Sequence, residues 1–183
     1  VGSAVLSPHH AELLSSWLPV ARQPGSLLYR ASRDGWASAQ FHTQCDAQGP
    51  TVTIVKTVAG TAQGGGFIFG GYTDQPWQQC SSYVASSDAF LFALPVAAGV
   101  PPAKLPLLSP NNANAIYCKS NYGSTFGGGH DVYVASAANT TGSSYTNLGH
   151  SYALPAGQNG TTFFTGARSF QAAEVEVFAV SPA

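Results

Sequence analysis

Charge is scarce in this chain. Of its 183 residues, 8% are Asp, Glu, Lys or Arg, where a soluble domain ordinarily carries roughly 25%. Seven basic against eight acidic side chains leave a formal net charge of −1. A protein that grips a phosphate backbone needs a basic face, so a nucleic-acid partner is excluded. Long apolar runs are also missing, and none approaches the ~18 residues of a membrane-spanning helix. Cysteine is sparse: Cys45, Cys80 and Cys118 are the three present, with no C-x-x-C pair. An odd count permits one disulfide and one free thiol. Familiar catalytic strings are absent as well. No G-x-S-x-G elbow, phosphate-binding G-x-x-x-x-G-K-[ST] loop or H-E-x-x-H helix occurs, and no cofactor or metal is expected. The chain begins with Val1 and shows no signal peptide, which reads as a mature chain or a piece of a larger one.

Aromatic residues are plentiful. Ten Phe, eight Tyr and three Trp supply enough apolar area to exclude disorder. The length suits one domain over residues 1–183 with a substantial core. Ser7 followed by Pro8 is a helix start, an N-cap serine and then proline at the first helical position. Leu13, Leu14, Trp17 and Leu18 share one face, and Pro19 ends the helix, so it spans about 8–18. Residues 21–25 read as a linker, Leu27 to Tyr29 as a short strand and Asp34-Gly35 as a turn. Ala37, Phe41 and Cys45 fall on one face of a second helix. Thr51 to Thr57 is β-branched almost throughout and predicts a buried strand. Gly60 and Gly64 to Gly66 read as a hairpin connection, and Gly70-Gly71 in the return strand as a bulge or close approach. Phe90, Phe92 and Leu94 alternate on one face. Residues 95–110, rich in proline, read as a loop. Ala115–Lys119, Asp131–Ala135, Phe163-Phe164 and Glu174–Val180 are further strand candidates. Helices come first and strands dominate afterwards. That order predicts an α+β fold, with two antiparallel sheets packed as a sandwich over about 26–180 and short helices at the side.

Candidate functional residues are few. His42 and Cys45 stand three apart on a helix, half of a metal site by spacing, but Cys45 also belongs to the apolar face and reads as a buried structural thiol. His130-Asp131 follows Gly127-Gly128-Gly129. As a catalytic pair it would need a nucleophile; the simpler reading is a histidine that hydrogen-bonds a loop beside a glycine-lined bend. Glu174 and Glu176 share a strand face, where paired carboxylates can do acid–base work or bind a cation. A solvated edge strand explains them equally simply. Arg33-Asp34 reads as a charged turn. Trp36, Tyr72, Trp77 and Tyr83 offer a sugar-stacking platform or, more plainly, core packing. Asn139-Thr140-Thr141 and Asn159-Gly160-Thr161 are N-glycosylation sequons in polar loops. With a surface built on neutral hydrogen bonding, they point to a secreted or cell-surface setting, the alternative being the cytoplasm.

Together these pieces resemble one family, the TLDc domain. The resemblance is carried by Leu27-Leu28-Tyr29-Arg30-Ala31-Ser32-Arg33-Asp34-Gly35-Trp36, Phe41-His42-Thr43-Gln44-Cys45-Asp46 and Gly49-Pro50-Thr51-Val52-Thr53-Ile54-Val55-Lys56. It continues through Phe69-Gly70-Gly71-Tyr72-Thr73 and Trp77, Ser87-Asp88-Ala89-Phe90-Leu91-Phe92, and Phe126-Gly127-Gly128-Gly129-His130-Asp131. Phe170 and Glu174-Val175-Glu176-Val177-Phe178 complete it, in the family's order, over about residues 6–180. The resemblance implies a two-sheet sandwich flanked by helices and no established enzymatic activity. In the oxidation-resistance branch it implies a cytosolic protein that protects against oxidative stress and engages the vacuolar proton pump. This chain departs from that branch in its low charge, its sequons, and Cys80 and Cys118 outside the motif positions. Cys45 lies inside a motif, so the disulfide expected beside the resemblance is Cys80–Cys118. The reading reached is a non-catalytic interaction module with an unidentified protein partner, its candidate binding residues Arg33, Asp34, Tyr72, Trp77, His130, Asp131, Glu174 and Glu176. Loops at Tyr72 to Trp77 or Tyr117 to Tyr122 would carry the contact. The alternatives are a stress or proton-pump regulator, and a carbohydrate- or cation-dependent adhesion domain for which a glycan is the ligand.

Overall fold

The computed structural model describes residues 2–60, 66–110 and 112–182. Three short helices precede most of the strands: α1 (Pro8–Trp17), α2 (Ala31–Asp34) and α3 (Ser38–Cys45). The first sheet contains β1 (Arg22–Arg30), β2 (Thr51–Gly60), β3 (Gly66–Thr73), β5 (Phe90–Ala93), β6 (Ala103–Pro106) and β12 (Ala172–Pro182). The second contains β4 (Ser82–Ser86), β7 (Asn112–Cys118), β8 (Tyr122–Phe126), β9 (Val132–Ala135), β10 (Ser144–Thr146) and β11 (Ser169–Phe170). Their orders are β1-β12-β2-β3-β5-β6 and β11-β10-β9-β8-β7-β4. Every pairing of neighbouring strands is antiparallel. The expected sandwich of two antiparallel sheets with flanking short helices is what forms.

Strand alternation divides the first sheet between two cores. Val55, Phe69, Leu91, Ala93, Leu105, Val175 and Val177 face the second sheet, meeting Ile116, Cys118, Phe126, Val132 and Val134. Val52, Ile54, Ile68, Tyr72, Phe90, Phe92, Phe178 and Val180 point the other way and pack under Leu14 of α1 and its C-cap residue Leu18. The helix starts as the sequence predicts: the Ser7 hydroxyl accepts from the His10 N–H, with Pro8 in the first turn. Gly71 sets the spacing between the sheets. A Cβ there would lie 2.7 Å from the Phe126 ring and 2.8 Å from Leu91, so the expected close approach is real. β2 and β3 pair without slippage from Thr51↔Thr73 to Lys56↔Ile68, and no bulge forms at Gly70-Gly71.

Four expectations are corrected. The segment read as a linker already belongs to β1, which pairs with β12 from Arg22 onward. The proline-rich stretch contains β6, an edge strand, where a missing N–H costs no ladder bond. Phe163 and Phe164 lie in a turn; both are buried, and Phe164 stacks on Phe69 at 4.6 Å between ring centroids. β12 is an interior strand, so Glu174 and Glu176 are not on a solvated edge. The expected hairpin connection falls largely on residues 61–65, outside the described residues.

A tyrosine ladder as candidate functional site

The outer face of the second sheet carries a tyrosine on each of five neighbouring strands: Tyr83 on β4, Tyr117 on β7, Tyr122 on β8, Tyr133 on β9 and Tyr145 on β10. Alternation puts them there, because Ile116 and Cys118 flank Tyr117, and Val132 and Val134 flank Tyr133, with their side chains in the inter-sheet core. Successive ring centroids along the row are 4.8, 5.7, 4.6 and 5.1 Å apart. This is close to the strand spacing of about 4.8 Å. The rings are tilted by 50–57° to their neighbours and are not coplanar. Tyr83 is exposed and the other four are partly exposed.

His130 lies against the whole row. Its ring centroid is 5.3–6.5 Å from all five tyrosine rings, and its Nδ1 is hydrogen-bonded to the Tyr145 hydroxyl at 2.8 Å. The residue occupies the left-handed region, φ 59°, beside Gly129 at φ 82°. Burial, and then the nearby Lys119 cation, push its pKa below the ordinary histidine value. Burial raises the phenol pKa of Tyr133 and Tyr145. Two cations complete the face: Lys119 Nζ sits 4.9 Å from the Tyr122 centroid, and the Arg168 guanidinium carbon 4.9 Å from that of Tyr145.

Asp131 does not share this surface. Fully buried, it accepts hydrogen bonds from the backbone N–H groups of Gly149, His150, Ser151 and Tyr152. A Cβ at Gly127 would lie 1.9 Å from its Oδ2, so the glycine bend makes room for a structural carboxylate. Desolvation raises its pKa against those four donors. His130 and Asp131 are therefore not a catalytic pair. The histidine bonds a tyrosine and its neighbour pins a loop.

The remaining predicted residues are held in structural roles. Tyr72 stacks on Phe90 at 5.3 Å and is buried. Trp77 is buried with its indole N–H on the Thr51 hydroxyl at 3.0 Å. Of the four aromatics offered as a sugar platform, these two are core residues, while Trp36 is partly buried and Tyr83 exposed. Glu176 is fully buried, accepts from the Ser3 hydroxyl and the Ala4 N–H, and is paired with Arg30 at 2.7 Å. Glu174 accepts from both the backbone and the hydroxyl of Ser32. Arg33 and Asp34 form the expected charged turn at 2.7 Å, which holds the Asp34 carboxyl below its usual range. His42 donates from Nε2 to the carbonyls of Lys119 and Tyr122 and bonds Asp46 through Nδ1. It ties α3 to the β7–β8 turn beneath the ladder and forms no metal half-site with Cys45. Among the described residues no group of three metal-ligating side chains converges.

The expected Cys80–Cys118 disulfide is not formed in the structure, where all three cysteines are free thiols, although the Cys80 and Cys118 thiols are hydrogen-bonding neighbours. Cys118 points into the inter-sheet core, where burial pushes its thiol up to about 12. Cys80 is exposed in the turn before β4, with Sγ 3.1 Å from the Ser82 hydroxyl. Cys45 is buried, as the helix face predicts. Asn159 is exposed and its side-chain oxygen accepts from the Thr161 N–H and hydroxyl, while Asn139 lies partly exposed in a turn.

Comparison with known protein families decides the identity: the TLDc domain model matches residues 1–181. The chain belongs to the TLDc family. A curated relative, the MTOR-associated protein MEAK7 of Danio rerio, is 31% identical over 91 residues, which is 49% of this chain and 19% of that protein. The aligned part of this TLDc domain thus spans about a fifth of the relative's length. The motif segments that carry the family likeness have become scaffold: Phe41, Cys45, Tyr72, Trp77, Phe126 and Asp131 are all buried. The ladder lies mostly outside those segments. Sequence reasoning reached the Tyr117 to Tyr122 loop but missed Tyr133 and Tyr145. The signal available was a tyrosine between two small or apolar residues, as in Ser82-Tyr83-Val84, Val132-Tyr133-Val134 and Ser144-Tyr145-Thr146.

Proposed function

We propose that this TLDc domain is a non-catalytic interaction module of a secreted or cell-surface protein or assembly, and that it holds a protein partner against the tyrosine ladder. The observation that carries the reading is the contrast in cover. The apolar outer face of the first sheet is closed by α1, whereas the aromatic outer face of the second is partly exposed across five strands. Exposed tyrosines supply large contact area at low conformational cost, the usual material of a binding surface. A non-catalytic role is supported by the engagement of Glu174, Glu176, Asp131 and His42 in fixed hydrogen bonds within the fold. The low charge and the two surface sequons support the extracellular setting.

A second reading has its own support. The MEAK7 relative is named for association with MTOR, which favours an intracellular regulator. Intact mass of the protein from its native source separates the two. Glycan on Asn139 or Asn159 is expected, and unmodified asparagine at both would favour the intracellular setting. The interaction itself is tested by placing a photo-crosslinking residue at Tyr117 or at Tyr133 in the full chain. A defined cross-linked partner is expected from either position and not from Val20. Cross-linking that is equal at Val20, or absent from the ladder, refutes the reading.

A further inference from the structure

Resting on that reading, we infer that the ladder is a docking site for an extended acidic segment of a partner protein, laid across the strands with carboxylates toward Lys119 and Arg168. Three features of the face select this occupant. The first is shape. The five rings gather round His130, whose centroid is 5.3–6.5 Å from each, so the end rings Tyr83 and Tyr145 lie within about 12.5 Å of each other, a span that suits a linear ligand about four extended residues long.

The second is ring orientation. Adjacent rings tilt by 50–57°, so the face is a series of shallow notches between phenols. Side chains and proline rings enter such notches, as in the aromatic grooves that receive extended peptides. A polysaccharide face prefers coplanar rings on which to stack.

Charge is the third. Among the described residues, the formal charges touching the row are Lys119 and Arg168, and no carboxylate is in ring contact with it. Asp131, the one acid adjacent in sequence, is buried on its loop amides. Both cations already cover ring faces, which disfavours a cationic ligand by repulsion and by occupancy. Tyr122 and Tyr145 stand two strands apart, roughly 10 Å. Three residues of extended chain cover about the same span, so acidic residues at positions i and i+3 reach both cations.

The test uses the full chain and labelled (Glu-Pro-Pro) repeat peptides, which repeat a carboxylate every ~9 Å. Fluorescence anisotropy should register binding of the Glu peptide, about tenfold weaker binding of a Gln-Pro-Pro counterpart, and none of a Lys-Pro-Pro peptide. The double variant Lys119→Gln/Arg168→Gln, both sites being surface positions, should melt as the parent does. It should also lose about tenfold in Glu-peptide affinity and erase the Glu/Gln difference. The inference is overturned by charge-blind binding, by an unaltered double variant, by cellohexaose binding in place of the peptide, or by no Glu-peptide binding up to millimolar concentration. If the ladder cross-links a protein partner but these peptides fail, the interaction reading survives and the acidic segment does not. If the peptides bind but no partner cross-links, the interaction reading fails and the acidic-segment inference, which rests on it, falls with it.

Discussion

The two sheets treat their outer faces differently. On the first, Phe90, Phe92, Ile54 and Phe178 are each 0–1% exposed because α1 lies over them. On the second, the phenols meet solvent, with Tyr83 40% exposed. Both faces are aromatic: the first carries Phe90, Phe92 and Phe178 with a single buried tyrosine, Tyr72, and the second carries a tyrosine on each of five strands. A phenylalanine face must be sealed by the chain itself. A phenol can remain wet, since its hydroxyl keeps hydrogen bonds to water while the ring waits for a second surface. Cover by α1, together with the prevalence of phenylalanine on one face and tyrosine on the other, separates the wall that holds the fold from the wall available to a partner.

That contrast can be broken by mutation. Phe92→Ala, beneath α1, should cost about 4 kcal/mol in chemical denaturation, whereas Tyr133→Ala on the ladder should cost about 1 kcal/mol. Equal losses would mean that the ladder is as much core as the sealed face. Asp131→Asn should cost about 3 kcal/mol, because an amide cannot accept the same set of loop N–H bonds. Faster amide exchange at Gly149 to Tyr152 would locate the damage.

Gly71→Ala should cost about 2 kcal/mol by driving a methyl into Phe126, and the loss should shrink when Phe126→Leu is combined with it. The smallest effect concerns pH. His130 has a folded pKa below its ordinary 6.5. Its neutral form therefore contributes stability that is present above the unfolded value and lost as pH falls through the folded one. Stability of His130→Gln should decline less across that acid window. His10, lowered by burial and by His9, titrates in the same direction, so His10→Gln provides the paired control.

Much of the scaffold was legible in the sequence. Ser7-Pro8 and Pro19 mark α1 because caps and prolines act locally, and Thr51 to Thr57 is a strand because β-branched runs suit little else. Edge strand β6 escaped because proline reads as a breaker until the neighbouring strand is known. Phe163-Phe164 misled because two adjacent aromatic residues can plug a core from a turn. The ladder escaped for a related reason: its members lie at 83, 117, 122, 133 and 145, and only strand pairing brings them side by side. Glu174 and Glu176 illustrate the limit of alternation. It placed them on one face, but whether that face met water depended on residues more than 140 positions away.

The Glu176 carboxylate has one more consequence. Two of its partners, the Ser3 hydroxyl and the Ala4 amide, precede the first helix. A recombinant fragment trimmed to Ser7 would keep every strand yet strand an anion with only Arg30 to neutralise it. Boundaries for expression should therefore be drawn ahead of Ser3, because this short leading segment is the lid on a charge that the final strand cannot carry alone.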